Sequence, residues 1–200
     1  MYSRTMSKAI FQKFHKFWSI KKYVDTTNYF RNSELFLCLN DKIPTDDFFM
    51  VLEIGTFEGV FACYAAEHFA QEVHTVDPYD TQDRGTTVKN ETESNFHKNL
   101  SRLDCREKIF TYKMTSDEFF IQNSHVFDLI YVDGSHEPAN AVRDLENSLI
   151  CLKIGGVMWI DDFGSDYKTL NLEIRKWLDA NSNSIQVIHM NYQVGLIRVR

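Results

Sequence analysis

The chain has 200 residues, of which 44% are hydrophobic and 25% are charged, and this length and composition are typical of one globular domain. No uninterrupted apolar run approaches the ~20 residues that cross a bilayer, so the sequence predicts no transmembrane segment. The formal net charge of -6 gives no general attraction to nucleic acid, and it therefore favours a small or neutral substrate.

The four cysteines lie far apart in the sequence and form no Cys-x-x-Cys pair, which argues against a zinc knuckle and against a dithiol redox motif. We therefore expect free thiols in a reducing compartment, and we predict a cytoplasmic protein. The residues concerned are Cys38, Cys63, Cys105 and Cys151.

Residues 1–45 are predicted to form a helical extension ahead of the main domain. Large apolar side chains recur at helical spacing between residues 10 and 18, and residues 1–24 carry basic side chains without acidic ones. Polar residues interrupt this stretch, so it lacks the continuous apolar core of an export signal. We expect the helix to pack on the domain or on a second copy of the chain as a homo-oligomer. Docking on a membrane surface through the basic face is the alternative.

Residues 46–200 alternate short apolar runs with amphipathic segments, which predicts one α/β domain made of βαβ units. We predict a doubly wound, Rossmann-like, mostly parallel sheet of seven strands. The last two strands lie too close in sequence for a parallel crossover, so we expect them to form a C-terminal antiparallel hairpin. The predicted strands cover residues 48–54, 72–76, 109–114, 126–132, 157–160, 185–190 and 193–199.

Helices are predicted over residues 60–70 and 138–152, and Leu170, Ile174 and Trp177 indicate another amphipathic helix before the hairpin. Ser135 is the expected N-cap of the helix over 138–152. Residues 78–95 are polar, which predicts a long loop that could cover a site.

A glycine turn follows the first predicted strand of the domain, where Gly55 and Gly59 flank a short connection into a helix. Glycine permits a tight turn and lets backbone amides approach a ligand. A dinucleotide-binding fingerprint would have another glycine at position 57, but Phe57 stands there, so pyrophosphate has no evident cradle. Glu53 would repel an anion and therefore favours a cationic ligand. Asp77 ends the next strand, where an acidic side chain accepts hydrogen bonds from ribose hydroxyls.

This pattern resembles the class I S-adenosylmethionine-dependent methyltransferases, whose first motif looks like Glu53-Ile54-Gly55-Thr56-x-x-Gly59. The resemblance implies that S-adenosylmethionine is the cofactor. It also implies an adenine-contacting segment after the third strand, at Thr115-Ser116-Asp117. The alternative is that Ser116 or Asp117 caps the following helix. The cofactor-binding residues expected from the resemblance are Glu53, Gly55, Thr56, Gly59, Asp77, Ser116 and Asp133.

Acidic side chains end the next two predicted strands. Asp133-Gly134-Ser135-His136 follows the fourth strand, and Asp161-Asp162 follows the fifth. Because adjacent parallel strands present their carboxyl ends at the same edge of a sheet, the three carboxylates are expected to converge beside the cofactor. Mg²⁺ or another divalent cation would relieve their mutual repulsion. The alternative is that Asp161 and Asp162 cap the next helix.

The segment 127–163 resembles the small metal-dependent O-methyltransferases, which include catechol-type enzymes and the macrocin type that acts on sugars. The resemblance implies that Asp133, Asp161 and Asp162 bind the metal and that His136 and Asp133 act in catalysis, with transfer to a hydroxyl of a small molecule or sugar. Catechol-type enzymes usually have Asp-Asn at the Asp161-Asp162 position, so this sequence resembles the sugar-modifying group more than the catechol-type group. His136 suits the role of general base, and an ordinary surface histidine is the alternative.

Two other functions are compatible with the sequence. The first is a non-catalytic cofactor-binding protein of the same fold, although no motif is visibly broken. The second is a nicotinamide-dependent dehydrogenase, which the missing glycine at Phe57 disfavours.

Overall fold

A computed structural model describes residues 34–38, 50–79 and 89–200, and these residues form one seven-stranded sheet with helices on both faces. The strands are β1 (Met50–Ile54), β2 (Glu72–Val76), β3 (Ile109–Tyr112), β4 (Phe127–Val132), β5 (Leu152–Ile160), β6 (Ile185–Met190) and β7 (Val194–Arg198). The helices are α1 (Glu34–Cys38), α2 (Val60–His68), α3 (Lys89–Ser101), α4 (Ser116–Gln122), α5 (Pro138–Cys151) and α6 (Lys168–Ala180), and a 3₁₀ turn spans Arg106–Lys108.

The strand order across the sheet is β3-β2-β1-β4-β5-β7-β6. Strands β1 to β5 pair in parallel, whereas both pairs that involve β7 are antiparallel. The order reverses between β1 and β4, and a crevice for ligands is expected at such a reversal, beyond the carboxyl ends of the strands. The predicted fold class and C-terminal hairpin are therefore confirmed.

The two faces of the sheet carry separate apolar layers. Val51 and Trp159 belong to the layer that packs on α2 and on α1, and Leu52 and Met158 belong to the layer that packs on α5 and α6. Burial on both faces explains why the central strands are almost continuously apolar. Glu53 is the exception in β1, because it is acidic and yet only 3% of its surface is exposed.

The prediction of a loop over residues 78–95 was wrong from residue 89 onward, where α3 begins. The sequence of this helix is polar because few of its side chains face the domain. Phe96 is buried, and the side-chain amides of Asn95 and Asn99 donate to Oε1 and to the backbone carbonyl oxygen of Glu58, at 2.8 Å each. Residues 80–88 of the predicted loop lie outside the described residues.

Other boundaries also differ from the predictions. Strand β5 begins at Leu152 rather than at residue 157, and it accommodates Gly155 at a φ of 81°. Glu137, not Ser135, occupies the N-cap position of α5, while the Ser135 hydroxyl accepts a hydrogen bond from the Glu137 amide at 3.2 Å. All four cysteines are free thiols, as expected.

The helix predicted between residues 10 and 18, and the predicted domain boundary after residue 45, lie outside the described residues. The described part of the N-terminal extension is α1, whose Leu35 and Cys38 are buried in the domain core. Across the part of the chain that the structure describes, no helix has both the length and the apolar character needed to cross a membrane.

Candidate active site

The glycine turn after β1 is compressed between neighbouring elements. Gly55 has a φ of 85° and Gly59 a φ of 74°, both in the left-handed region that favours glycine. A Cβ on Gly55 would lie 1.9 Å from the carbonyl oxygen of Asp133, and one on Gly59 would lie 2.4 Å from the Phe96 ring. Phe57 adopts a φ of 50° between them, so the turn tolerates a non-glycine residue at position 57. Both predicted glycines are therefore required by the backbone.

Asp77 holds the glycine turn to the loop that follows β2. One carboxylate oxygen of Asp77 accepts a hydrogen bond from the Phe57 amide at 2.9 Å, and the other accepts one from the Tyr79 amide at 2.7 Å. The side chain also lines a cavity at the carboxyl edge of the sheet. A carboxylate has capacity for further hydrogen bonds, so Asp77 can still accept them from a ligand. Its ribose contact stays a prediction.

Two polar side chains near the turn are buried without a complete set of partners. Oε2 of Glu53 and Oγ1 of Thr56 have no hydrogen-bond partner among the described residues, and both side chains are almost fully buried. Burial raises the pKa of Glu53 well above its ordinary value, and the nearby carboxylates of Asp133 and Asp77 raise it further. A positively charged ligand near the turn would lower the cost of this concentration of acidic groups.

A cavity of about 260 Å³ lies along the carboxyl edge of β2, β1 and β4. Ser116 and Thr115 both line this cavity, and Thr115 is also the N-cap of α4, where it forms a reciprocal capping box with Glu118. The alternative that Ser116 or Asp117 caps the helix is therefore wrong. The lining residues include Ile54, Gly55, Phe57, Asp77, Tyr79, Ser116, Asp117, Gly134, Ser135, His136, Asn140, Arg143 and Asp144.

Asp133, His136 and Asp162 converge beside this cavity. Each offers one ligand atom, and these atoms all lie within 4.8 Å of one another. Nε2 of His136 is 2.6 Å from one carboxylate oxygen of Asp162, and the hydroxyl of Tyr192 donates to the other at 2.7 Å. The His136 ring also stacks on Tyr167, with ring centroids 4.6 Å apart. The orientation of His136 is therefore set by a carboxylate and an aromatic ring.

Asp161 is oriented differently from Asp162. Its Oδ2 accepts a hydrogen bond from the Tyr131 hydroxyl at 2.5 Å, and its Oδ1 accepts one from the Asp162 amide at 2.7 Å. Burial raises the pKa of Asp161 despite these hydrogen bonds. The structure thus brings together two of the three predicted metal ligands, with His136 and not Asp161 completing the group.

The alternative role of Asp161 and Asp162 as helix caps is wrong. Helix α6 begins at Lys168, and Tyr167 occupies its N-cap position. Asp162 instead has a φ of 56°, and its backbone carbonyl accepts a hydrogen bond from the Ser165 hydroxyl at 2.5 Å. This uncommon conformation for an aspartate directs its side chain toward His136 and Tyr192.

A buried polar network behind Asp161 was not foreseen from the sequence. Gln193 is 2% exposed, and its Nε2 donates to the Tyr131 hydroxyl at 3.3 Å. Its Oε1 accepts hydrogen bonds from Trp159 Nε1 and from the backbone amide of Glu34, at 2.8 Å each. Helix α1 is therefore connected to Asp161 through Gln193 and Tyr131. The sequence signals of this network were a tyrosine inside the apolar strand β4 and a glutamine directly before β7.

Comparison with known proteins shows the family to which the chain belongs. A family described as a methyltransferase domain matches residues 52–163, which is more than half of the chain. The chain belongs to this methyltransferase family, and with its glycine turn and sheet order it is a class I S-adenosylmethionine-dependent methyltransferase. A search of curated proteins found no match.

Several solved structures share the fold. Cofactor-bound Rv0187 from MTB has a TM-score of 0.65 at 15% identity, over 98% of this chain and 91% of that one. The O-methyltransferase TomG from Streptomyces achromogenes, involved in tomaymycin synthesis and solved with SAM, has a TM-score of 0.59 at 12% identity, over 76% and 73%. An rRNA methylase from Streptococcus thermophilus has a TM-score of 0.54 at 15% identity, over 76% and 87%. At these identities the likenesses show the fold alone.

Proposed function

We propose that the protein is a divalent-cation-assisted O-methyltransferase acting on a hydroxyl group of a small molecule or a sugar. The convergence of Asp133, His136 and Asp162 within 4.8 Å carries this proposal. The two carboxylates at this spacing can share one divalent cation, and the imidazole beside them can act as a base. Because His136 also lines the large cavity, an acceptor bound at this cluster would lie next to the cofactor.

The cavity suits S-adenosylmethionine by its charge and by its shape. The sulfonium and ammonium groups of the cofactor are cationic, and acidic side chains such as Asp77 and Asp144 line the cavity. Glu53 lies behind the lining residues and has a buried carboxyl oxygen without a partner among the described residues. The left-handed glycine turn presents backbone close to the ligand. We assign the amino-acid end of the cofactor to the turn, its ribose to Asp77 and its base to Ser116. The proposed contacts are Glu53, Gly55, Thr56, Gly59, Asp77, Ser116 and Asp133.

The donor set at the acidic cluster suits a hard or borderline divalent cation such as Mg²⁺ or Mn²⁺. When bound there, such a cation would lower the pKa of the acceptor hydroxyl and hold it in place. Asp133 and Asp162 would hold it in the described geometry. The further proposal that Asp161 is a ligand comes from the family resemblance, and it requires the Asp161 carboxylate to turn away from Tyr131.

His136 is proposed to take the proton of the acceptor hydroxyl. In the tautomer in which Nε2–H donates to Asp162, Nδ1 carries the lone pair and can accept a proton. The contact with Asp162 and the stacking on Tyr167 restrict rotation of the ring, so the basic nitrogen keeps one direction. A positioned base of this kind typically contributes about 10²- to 10⁴-fold to a rate.

The test is methyl transfer from labelled S-adenosylmethionine to a panel of catechols, sugars and a short RNA, with Mg²⁺, with Mn²⁺ and with EDTA. We expect transfer to a catechol or sugar hydroxyl that EDTA abolishes. Asp162→Asn should lower turnover roughly 100-fold and weaken Mn²⁺ binding in calorimetry, because it removes a proposed ligand. Asp166→Asn is the matched control, since Asp166 is an exposed acid on the same loop, and it should change neither value.

Different failures of this test have different meanings. Transfer that persists in EDTA and in Asp162→Asn would contradict the metal assignment but not the transferase. Tight binding of S-adenosylmethionine without transfer to any acceptor would favour the non-catalytic alternative. Binding of NAD in place of S-adenosylmethionine would favour the dehydrogenase. Transfer to RNA alone would contradict the proposed substrate class. Oligomerisation through the N-terminal extension and a cytoplasmic location stay predictions.

A further inference from the structure

The turn between β6 and β7 is joined to α1 by reciprocal hydrogen bonds between Glu34 and Gln193. The Glu34 carboxylate accepts a hydrogen bond from the Gln193 backbone amide at 2.9 Å and lies 2.7 Å from Nε2 of His189. It also accepts a hydrogen bond from the side-chain amide of Asn191. In return, Oε1 of Gln193 accepts hydrogen bonds from the backbone amides of Glu34 and Leu35, at 2.8 Å and 3.2 Å. Two side chains therefore connect α1 to the turn in both directions.

These contacts are partly or fully shielded from water. Only 14% of the Glu34 side chain and 2% of Gln193 are exposed. Burial alone would raise the pKa of Glu34, but hydrogen bonds from His189, Gln193 and Asn191 together lower it below its ordinary value. The His189 ring is itself held by stacking on Trp159, with ring centroids 5.3 Å apart. Because α1 has only five residues, its own backbone hydrogen bonds are too few to stabilise it, so its position depends on these contacts.

The same turn reaches both of the adjacent aspartates that follow β5. The hydroxyl of Tyr192 donates to Oδ1 of Asp162 at 2.7 Å. The next residue, Gln193, donates to the Tyr131 hydroxyl at 3.3 Å and also forms a side-chain hydrogen bond with Asp161. Two neighbouring residues of one turn therefore orient the two carboxylates, and Glu34 holds that turn.

We propose that Glu34 is a positioning residue for methyl transfer, which fixes the turn between β6 and β7 on α1 and thereby sets the directions of Asp161 and Asp162. Glu34 acts through Tyr192 and Gln193 and does not itself touch the reacting groups. The N-terminal segment that contains α1 therefore takes part in shaping the site. This inference rests on the proposed roles of Asp161 and Asp162, and the direction of the Asp161 side chain can be measured without cofactor, metal or acceptor.

Glu34→Gln is the test variant, because glutamine keeps the shape of the side chain but replaces one acceptor oxygen by an amino group that faces a donor. Asp128→Asn is the matched control. The Asp128 carboxylate accepts a hydrogen bond from the Met50 amide at 3.0 Å and pairs with Lys153 at 2.7 Å, and its side chain is 13% exposed. It joins two segments as Glu34 does, but near the amino end of β4 and away from the site.

The first readout is the backbone amide resonance of Asp162 in the isotope-labelled, full-length chain without ligands. This amide donates to Oδ1 of Asp161 at 2.7 Å, so its chemical shift reports where the Asp161 carboxylate lies. Glu34→Gln should shift this resonance, and Asp128→Asn should leave it in place. An unshifted Asp162 amide in Glu34→Gln would overturn the proposal, and this result does not depend on finding an acceptor.

His189→Phe keeps the inference testable if Glu34→Gln does not fold. Phenylalanine preserves an aromatic ring on Trp159 but removes the contact with Glu34. It should shift the Asp162 amide resonance in the same direction by a smaller amount. An unchanged resonance in this variant would also overturn the proposal.

The second readout separates turnover from cofactor affinity. Glu34→Gln should lower the turnover of methyl transfer about 3- to 30-fold, as expected for a residue that acts through a network, while the affinity for S-adenosylhomocysteine in calorimetry stays unchanged. Asp128→Asn should change neither value. Equal losses of turnover in Glu34→Gln and Asp128→Asn would show general destabilisation and would overturn the proposal.

The route of action is tested in a chain that already carries Tyr131→Phe and Tyr192→Phe. There Glu34→Gln should lower turnover by less than about 2-fold, because the contacts through which it acts have been removed. The same fold-loss in both backgrounds would mean that Glu34 acts by another route, against the proposal. Failure to find any methyl acceptor would contradict the proposed function, but the Asp162 amide resonance would still decide the role of Glu34.

Discussion

The cofactor half and the acidic half of the candidate active site share one edge of the sheet but are built differently. The cofactor half surrounds a cavity of about 260 Å³, and its shape depends on backbone conformation at Gly55 and Gly59. The cavity beside the acidic half measures only about 20 Å³, and Asp161 and Asp162 are engaged by other side chains. The cofactor half therefore contains an open cavity, whereas the side chains of the acidic half are already hydrogen-bonded to other side chains.

This difference follows from where the supporting residues come from. The glycine turn depends on the conformation of its own glycines and on a hydrogen bond to Asp77, 20 residues away in sequence from Phe57, while Asp133 and Phe96 pack against it. Asp162 is held by Tyr192, 30 residues away. Asp161 reaches α1 through Gln193, which is 159 residues from Glu34. The acidic half therefore depends on the C-terminal hairpin and on the N-terminal extension, so distant substitutions should affect it more.

The largest effect is expected from Gly55→Ala, which tests whether the cofactor half depends on backbone shape. The new Cβ would lie 1.9 Å from the Asp133 carbonyl oxygen, and alanine at a φ of 85° would add conformational strain. We expect the free energy of unfolding to fall by about 4 kcal/mol or more, in a urea titration, and cofactor binding to be lost.

Gly155→Ala separates strain from steric overlap. Gly155 has a similar φ of 81°, but nothing lies within 4 Å of the position of its Cβ. Gly155→Ala should therefore lower the free energy of unfolding by only about 1 kcal/mol, as expected for the backbone conformation alone. Equal losses in the two variants would show that the contact between the turn and β4 contributes nothing, and the contrast between the two halves would fail.

The next effect concerns the pH dependence of stability. Burial raises the pKa of Asp144 to about 6 from an ordinary value of 3.8. Between about pH 4 and pH 6 the native protein therefore binds more protons at this site than the unfolded chain, so its contribution to stability falls as pH rises. Asp144→Asn removes this titration. Its free energy of unfolding should therefore rise relative to that of the wild-type protein by about 2 kcal/mol between pH 4 and pH 6.

Urea titrations of both proteins at several pH values measure this difference. Other raised carboxyl groups, such as Glu53 and Asp161, are present in both proteins, so their contributions largely cancel in the comparison. A difference in unfolding free energy that stays constant from pH 4 to pH 7 would mean that Asp144 does not titrate as described.

Local features explain what the sequence could predict. The strands, the glycine turn and the identities of Asp133 and Asp162 follow from apolar runs, glycine spacing and residues at strand ends, all of which are properties of short segments. Helix α3 was missed because its buried face includes Phe96 and two asparagines, so its apolar pattern is weak. Periodicity alone cannot reveal a helix that packs through hydrogen bonds from asparagine side chains.

Side-chain direction explains most of what the sequence could not predict. Asp161 and Asp162 are adjacent and chemically identical, yet one faces Tyr131 and the other faces His136. The left-handed conformation of Asp162 produces this separation, and no residue type at that position signals it. Asp144 was missed for a related reason, since an acidic residue on an amphipathic helix is usually exposed.

The smallest effect is expected from Tyr131→Phe, which tests whether the acidic half depends on its distant support. The change removes the hydroxyl that donates to Asp161 and accepts from Gln193, while the ring can still stack on Phe61. We expect turnover to fall roughly 10-fold with cofactor affinity unchanged. A hydrogen bond to a carboxylate is worth about 1.5 to 3 kcal/mol, and only part of this free energy affects the reacting groups.

Tyr64→Phe makes the same change at a buried tyrosine on α2, whose ring packs against His68 and Phe69, and it should leave turnover unaltered. Equal turnover in both variants would show that Asp161 needs no support from Tyr131.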